Sequence, residues 1–151
     1  MRREDRKMDD GQTMELLQRG EYGVLSLIDP AGMPYGIPLN YTVIDGKIYV
    51  HAAVEGKKLL CVANNPKACF TVVGETEVLP DKFSTRYESV MVFGRASTVE
   101  PSEEKDAALL ALVRKYSADF IEQGIAYINS SKIKTSMIRI VPKEITGKKR
   151  A

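Results

Sequence analysis

His51 is the only histidine in the chain, and it closes a run that reads as two strands around a tight Asp45-Gly46 turn. Shortly after it comes Gly56-Lys57-Lys58, where the pattern turns helical. An imidazole placed there suits contact with a phosphate, contact with the ring of a cofactor, or proton donation to a substrate. It equally suits an ordinary hydrogen-bonded boundary residue. A helix start offers free N–H groups and the positive end of the helix dipole, and lysines add full charges, so the segment suits a phosphate group. It lacks the upstream glycine of a P-loop, and a lysine pair on a solvated face is the plainer alternative.

Just before the hairpin stand Pro38, Leu39, Asn40 and Tyr41. Proline donates no ladder hydrogen bond, so regular pairing is interrupted here. Backbone groups left free could bond a planar ligand, or the segment could be an irregular edge strand. Cys61 and Cys69 sit in apolar surroundings without a C-x-x-C partner, which reads as reduced buried thiols and a poor zinc set. With one histidine and no G-x-S-x-G elbow, a hydrolytic triad has no support.

Several elements must hold these residues in place. Asp9 or Asp10 caps a short helix that ends at Gly20. Strands are expected at Glu21–Asp29 and Met33–Ile44, around a Pro30-Gly32 turn, and then on either side of Asp45-Gly46. A helix follows from Gly56 to Asn65, then a central apolar strand at Ala68–Val73 and a polar connection from Gly74 to Phe83. Tyr87–Val99 is a strand in which Gly94 marks a bulge or bend. Helices from Pro101 and over Ala118–Ile128 precede a last strand at Lys134–Thr146. Strands in hairpin-like succession argue against a doubly wound parallel sheet. A mainly β fold with peripheral helices is expected, a six-stranded antiparallel barrel.

The length of 151 residues suits one domain, residues 1–151, with charged ends at 1–8 and 148–151 reading as flexible tails. With 22 basic and 20 acidic side chains the formal charge is only +2, too little for a nucleic-acid footprint. The N-terminal decade is charged throughout, unlike a signal peptide, and no stretch reaches the length of a membrane span. A soluble, cytoplasmic protein is expected.

The ordered set of motifs resembles the flavin-binding split-barrel family related to pyridoxamine 5'-phosphate oxidase, nearest to its nitroimidazole-resistance (Nim-type) subgroup. The pieces are Gly23-Val24-Leu25-Ser26, Gly32-Met33-Pro34-Tyr35, Pro38-Leu39-Asn40-Tyr41, His51-Ala52-Ala53, Gly56-Lys57-Lys58, Tyr87-Glu88-Ser89-Val90, Phe93-Gly94, Glu104-Lys105, Lys115-Tyr116 and Ile145-Thr146-Gly147-Lys148. The resemblance implies an FMN-binding homodimer with the flavin at the subunit interface. By motif, Pro38 to Tyr41 lie along the flavin ring. His51, Ala52 and Ala53 with Gly56, Lys57 and Lys58 hold the ribityl phosphate, and His51 also faces the substrate side. Ser89 lies near the cofactor, the neighbouring subunit being one source for it. True pyridoxamine phosphate oxidases carry an Arg- and His-containing motif near the C-terminus, whereas Ile145 to Arg150 holds no histidine. That departure tells against vitamin B6 oxidation as the implied activity. What is implied is FMN-dependent reduction of a small electrophile such as a nitro-aromatic compound, with a reduced nicotinamide as a donor. The alternatives are a non-catalytic flavin or haem carrier and a scaffold dimer.

Overall fold

The strands are β1 (Gly23–Ile28), β2 (Pro34–Leu39), β3 (Thr42–Ile44), β4 (Lys47–Ala53), β5 (Lys67–Leu79), β6 (Ser84–Val99) and β7 (Thr135–Arg150). The helices are α1 (Asp10–Arg19), α2 (Lys57–Asn64), α3 (Glu103–Tyr116) and α4 (Ile121–Ser131). The computed structural model describes residues 2–131 and 134–151. Local chemistry accounts for the boundaries. The Asp9 carboxylate caps α1 by accepting from the Gln12 N–H at 2.8 Å, and Ser102 Oγ caps α3 by accepting from the Lys105 N–H at 3.3 Å. Asp45 and Gly46 take φ of 50° and 73°, the left-handed pair that a two-residue hairpin turn needs.

All seven strands join one antiparallel sheet in the order β2-β1-β5-β6-β7-β4-β3. β2 and β3 lie at opposite ends of that order, yet only Asn40 and Tyr41 separate Leu39 from Thr42. Three peptide steps span roughly 10 Å at most, so the sheet must curl until its two edge strands approach at this corner, where they do not pair. The result is a split antiparallel barrel with peripheral helices, of seven strands rather than six. The expected strand over Met33–Ile44 is two strands because the chain changes partner at Asn40-Tyr41, from β1 to β4.

Leu25, Ile48, Val50, Phe70, Val72, Val90, Val92, Ile138 and Ile140 are fully buried, and Leu16 and Leu17 of α1 and Cys61 of α2 join them in one core. A smaller cluster forms where α3 lies on the sheet, from Tyr49, Val99, Ala108, Leu109, Leu112 and Met137. A polar clamp reinforces that second contact. Glu104 accepts from the Tyr49 hydroxyl at 2.7 Å and from Arg139 Nη1 at 2.8 and 3.0 Å.

Three further expectations are corrected. The polar connection over Gly74–Phe83 is largely strand, since β5 reaches Leu79 and pairs it with Ser84 past a bulge between Val73 and Thr76. Glu75, Thr76 and Glu77 are all exposed, so this part of the hairpin lacks the apolar alternation that marks a half-buried strand. Lys148–Arg150 are no tail but the end of β7, with Arg150 opposite Tyr87. At the other terminus Lys7 bridges to Lys148, and buried Met8 donates its N–H to the Gly147 carbonyl at 3.0 Å. Cys61 is buried as expected, with its thiol pushed up by burial, whereas Cys69 is only half-buried on the outer face of β5. The bend foreseen at Gly94 is present as a register shift against β7, where a Cβ would collide with the Val141 carbonyl.

Candidate functional site

The start of α2 carries the features that suit an anion. Gly56 is its N-cap with φ of 137°, a conformation that favours glycine, and no side chain caps the first turn. The N–H groups there point out of the helix end with the positive end of its dipole. The two lysines that follow are not equivalent. Lys57 Nζ turns back to the β1–β2 turn, 3.5 Å from Asp29 Oδ2 and 4.6 Å over the Tyr35 ring. Asp29 is itself fixed by N–H groups of Met33 and Ala31, bonds that hold its carboxyl below the usual range, with Lys57 adding to the effect. Lys58 is half-buried, has no acceptor among the described residues, and lies close enough to His51 for its charge to act on the imidazole.

His51 pairs with Met137 of β7, with its side chain on the outer face, while neighbouring Ala52 points into the core and Ala53 is exposed. The imidazole has no hydrogen-bond partner among the described residues. Much of its surface is accessible, yet the protein packed around it lowers its pKa, and Lys58 lowers it further. The imidazole is therefore held neutral more firmly than in a free peptide. Behind it is a cavity of about 170 Å³ lined also by Leu109, Leu112 and Val113 of α3, Tyr127 and Ile128 of α4, and Thr135.

Pro38 and Leu39 pair with Val24 and Gly23 on β2, the strand that also carries Tyr35 beneath Lys57. Tyr35 to Pro38 is roughly 10 Å of strand, which keeps this edge within reach of the α2 start. Tyr41 is placed differently from expectation. Its side chain is fully buried, its hydroxyl donates to the Leu17 carbonyl, and its ring meets Phe70 edge-on at a centroid distance of 4.8 Å. Nor are its backbone groups free. Its N–H donates to Tyr116 Oη at 3.0 Å, and that hydroxyl lies 2.6 Å from the Glu21 carbonyl and 3.1 Å from the Tyr41 carbonyl. Asn40 Nδ2 also donates to the Glu21 carbonyl, at 3.1 Å. The interrupted strand is thus sealed by Tyr116, a residue whose helical position marks it only as part of the α3 core face.

Next to Tyr116, Lys115 Nζ lies 3.8 Å from the centroid of the Tyr41 ring, buried and without a hydrogen-bond acceptor among the described residues. Burial lowers its pKa from 10.5 to about 8, against the attraction of the ring face for the cation. Between those two values the unfolded chain holds a proton that the folded chain has released, so stability must rise with pH across the window. Denaturant midpoints are expected to increase from about pH 8 towards pH 10 and to lose that slope in Lys115→Met. Above pH 10 the buried Tyr41 and Tyr49 hydroxyls, both raised by burial, act in the opposite direction, as stability is then lost with rising pH.

Ser89 does not join His51 within one chain. It pairs with Lys148, whereas His51 pairs with Met137, and the stretch of β7 between those partners is on the order of 30 Å long. Ser89 lies instead on the outer face of the barrel. There Pro38, Val24, Thr71, Met91 and Thr146 line up in register across β2, β1, β5, β6 and β7. All five are uncharged, and their side chains are exposed or half-exposed. Among the described residues no group of His, Cys, Asp and Glu could hold a metal ion, and no helix is long and apolar enough to cross a membrane.

A family model described as pyridoxamine 5'-phosphate oxidase matches residues 9–149. No curated protein matches the chain. Among solved structures, a conserved hypothetical protein from Mycobacterium tuberculosis superposes with a TM-score of 0.84 at 20% identity, covering 97% of this chain and 88% of that one. The FAD and haem binding protein of Mycobacterium smegmatis gives 0.80 at 16% identity, over 95% of this chain and 73% of that one. A candidate 5-nitroimidazole antibiotic resistance protein from Bacteroides thetaiotaomicron gives 0.76 at 22% identity, over 94% and 85% of the two chains.

Proposed function

Because the chain belongs to the pyridoxamine 5'-phosphate oxidase family of flavin-binding split barrels, we propose that it is an FMN-binding oxidoreductase acting on a small electrophile. The observation that carries the reading is the donor set at the start of α2. The uncapped first turn beyond Gly56, Lys58 and the unpartnered His51 offer donors without a protein acceptor, which is the chemistry a terminal phosphate requires. Lys57 contributes charge from its fixed place over Tyr35, and Pro38 and Leu39 form the edge along which the ring system would lie. Bound FMN would supply the redox chemistry, carrying electrons from a donor such as a reduced nicotinamide to an acceptor such as a nitro-aromatic compound. The protein's part is to orient, to exclude water and to set the field. Neutral His51 can donate a hydrogen bond to a ring or substrate atom without adding charge.

Two chains are proposed to form a homodimer through the uncharged outer face, which brings the partner's Ser89 towards the site that this chain leaves incomplete. An isologous contact of this kind is the commonest oligomeric arrangement. The test is an FMN titration followed by the visible flavin spectrum, with sedimentation giving mass and stoichiometry. Saturable binding of one FMN per chain in a dimer is expected. A flavin spectrum unaltered by the protein would end the proposal.

The neutral, unpartnered imidazole of His51 favours a second reading, a haem-binding carrier, since that form is the metal-ligating one. A Soret band that disappears in His51→Ala, without reduced-nicotinamide oxidation, would select it.

A further inference from the structure

The cavity behind His51 differs from the larger clefts of the molecule. The cleft of about 500 Å³ at the far end of the β5–β6 hairpin is lined by charged residues, and its Arg86 is already paired with Glu77. The cavity between α3, α4 and the sheet is smaller, about 170 Å³, with Leu109, Leu112, Val113 and Ile128 as its aliphatic walls and Tyr127, Thr135 and His51 completing the lining. Among the described residues no carboxylate or ammonium lines it. Its shape is held by packing from two sides. Gly124 of α4 lies so close to Val113 that a Cβ there would collide with it, and the Glu104 clamp fixes α3 to β4 and β7 through Tyr49 and Arg139.

The geometry points to a binding site for a neutral molecule of one aromatic ring, seated among these aliphatic side chains with its polar substituent against the His51 imidazole. Size supports a single ring, because a dry apolar cavity of about 150 Å³ is enough to take up benzene. Chemistry supports an uncharged ring, because a charged group seated among the aliphatic walls would lose its hydration there and no carboxylate or ammonium is among the described lining residues. His51 has both ring nitrogens unpartnered among the described residues, so when one donates to a phosphate the other can still accept from a ligand hydroxyl. Filling this space is proposed as the selecting step for what reaches the flavin, and only that consequence rests on the FMN reading.

The single histidine makes the test direct, since its Hε1 resonance in proton NMR has no other histidine to overlap it. Deuterated phenol titrated into the FMN-loaded protein is expected to shift that resonance saturably, and benzoate, the charged counterpart, is expected to leave it in place. Val113→Trp fills the space and should weaken phenol at least about tenfold, while FMN affinity, read by flavin fluorescence, is retained. Val113→Ala enlarges the space and should admit 2-naphthol, which the wild type excludes. An unmoved or unsaturable His51 signal overturns the inference, and so does equal phenol binding in Val113→Trp. The two proposals fail separately. Phenol binding in a protein that takes up no FMN would sink the flavin reading and leave the pocket standing. FMN uptake with an unmoved His51 signal would sink the pocket alone.

Discussion

Replacing Lys58 by alanine is expected to weaken FMN binding by about 1.5–3 kcal/mol, roughly tenfold to 150-fold in Kd, the range of a charge-assisted hydrogen bond. The expectation singles out Lys58 because the structure separates the two lysines. Lys57 is already engaged by the Asp29 carboxylate and the Tyr35 ring, so its ammonium has attraction to lose before it can serve a phosphate. Lys58 is half-buried beside His51 and finds no acceptor among the described residues. Lys57→Ala should therefore cost less than Lys58→Ala. Fluorescence titration of FMN against both variants, at low and at moderate salt, measures the difference. Added salt should narrow the gap between Lys58→Ala and wild type, since the lost contact is electrostatic. An unchanged Kd for Lys58→Ala at low salt would mean that this ammonium points to solvent.

The second large effect is on stability. Tyr41→Ala is expected to cost about 3–5 kcal/mol, the range for truncating a large buried aromatic side chain, read as a shift in the urea midpoint. Three losses coincide at this position. The ring leaves a space beside Phe70, the Leu17 carbonyl loses its donor, and the Lys115 ammonium loses the ring face over which it is buried. Tyr41→Phe isolates the hydroxyl and should cost only about 1–3 kcal/mol, the penalty of leaving a buried carbonyl unpaired. A Tyr41→Ala midpoint within error of wild type would show that the barrel closes without this side chain.

Residues that act through backbone geometry or helix ends were legible in the chain itself. The Asp45-Gly46 turn, the Gly56 start of α2 and the bend at Gly94 each follow from which side chains tolerate a given φ/ψ or approach. The antiparallel barrel with outer helices was legible for the same local reasons. What sequence could not express is partner exchange. Nothing in Met33–Ile44 says that the strand leaves β1 and joins β4 after two residues, because both halves read as extended chain and only the pairing in the curled sheet distinguishes them. Tyr41 was misplaced for a related reason. A tyrosine beside a proline-broken strand reads as accessible, and only the distant hydroxyl of Tyr116 and the Leu17 carbonyl make its burial satisfiable. The unequal lysines likewise depend on Asp29 and Tyr35, which lie more than twenty residues before α2 in the chain and carry no mark of the pairing. The apolar cavity escaped because its walls come from core positions of α3 and α4, indistinguishable in sequence from ordinary packing.

The place of β7 in the sheet sets the order in which the protein can be made. It is the last strand of this chain, yet it is inserted between β6 and β4. Until it has been synthesised, β4 has only the three-residue β3 to pair with, and the strand that carries His51 is an unfinished ribbon. The β1–β2 and β5–β6 hairpins can form earlier and join through β1 and β5, but they would then present the edge of β6 unpaired. An emerging chain thus passes through a stage with an open apolar edge, the kind of species that aggregates or needs a chaperone. A chain ending before Thr135 would carry His51 and the start of α2 but lack the strand that joins β4 to β6.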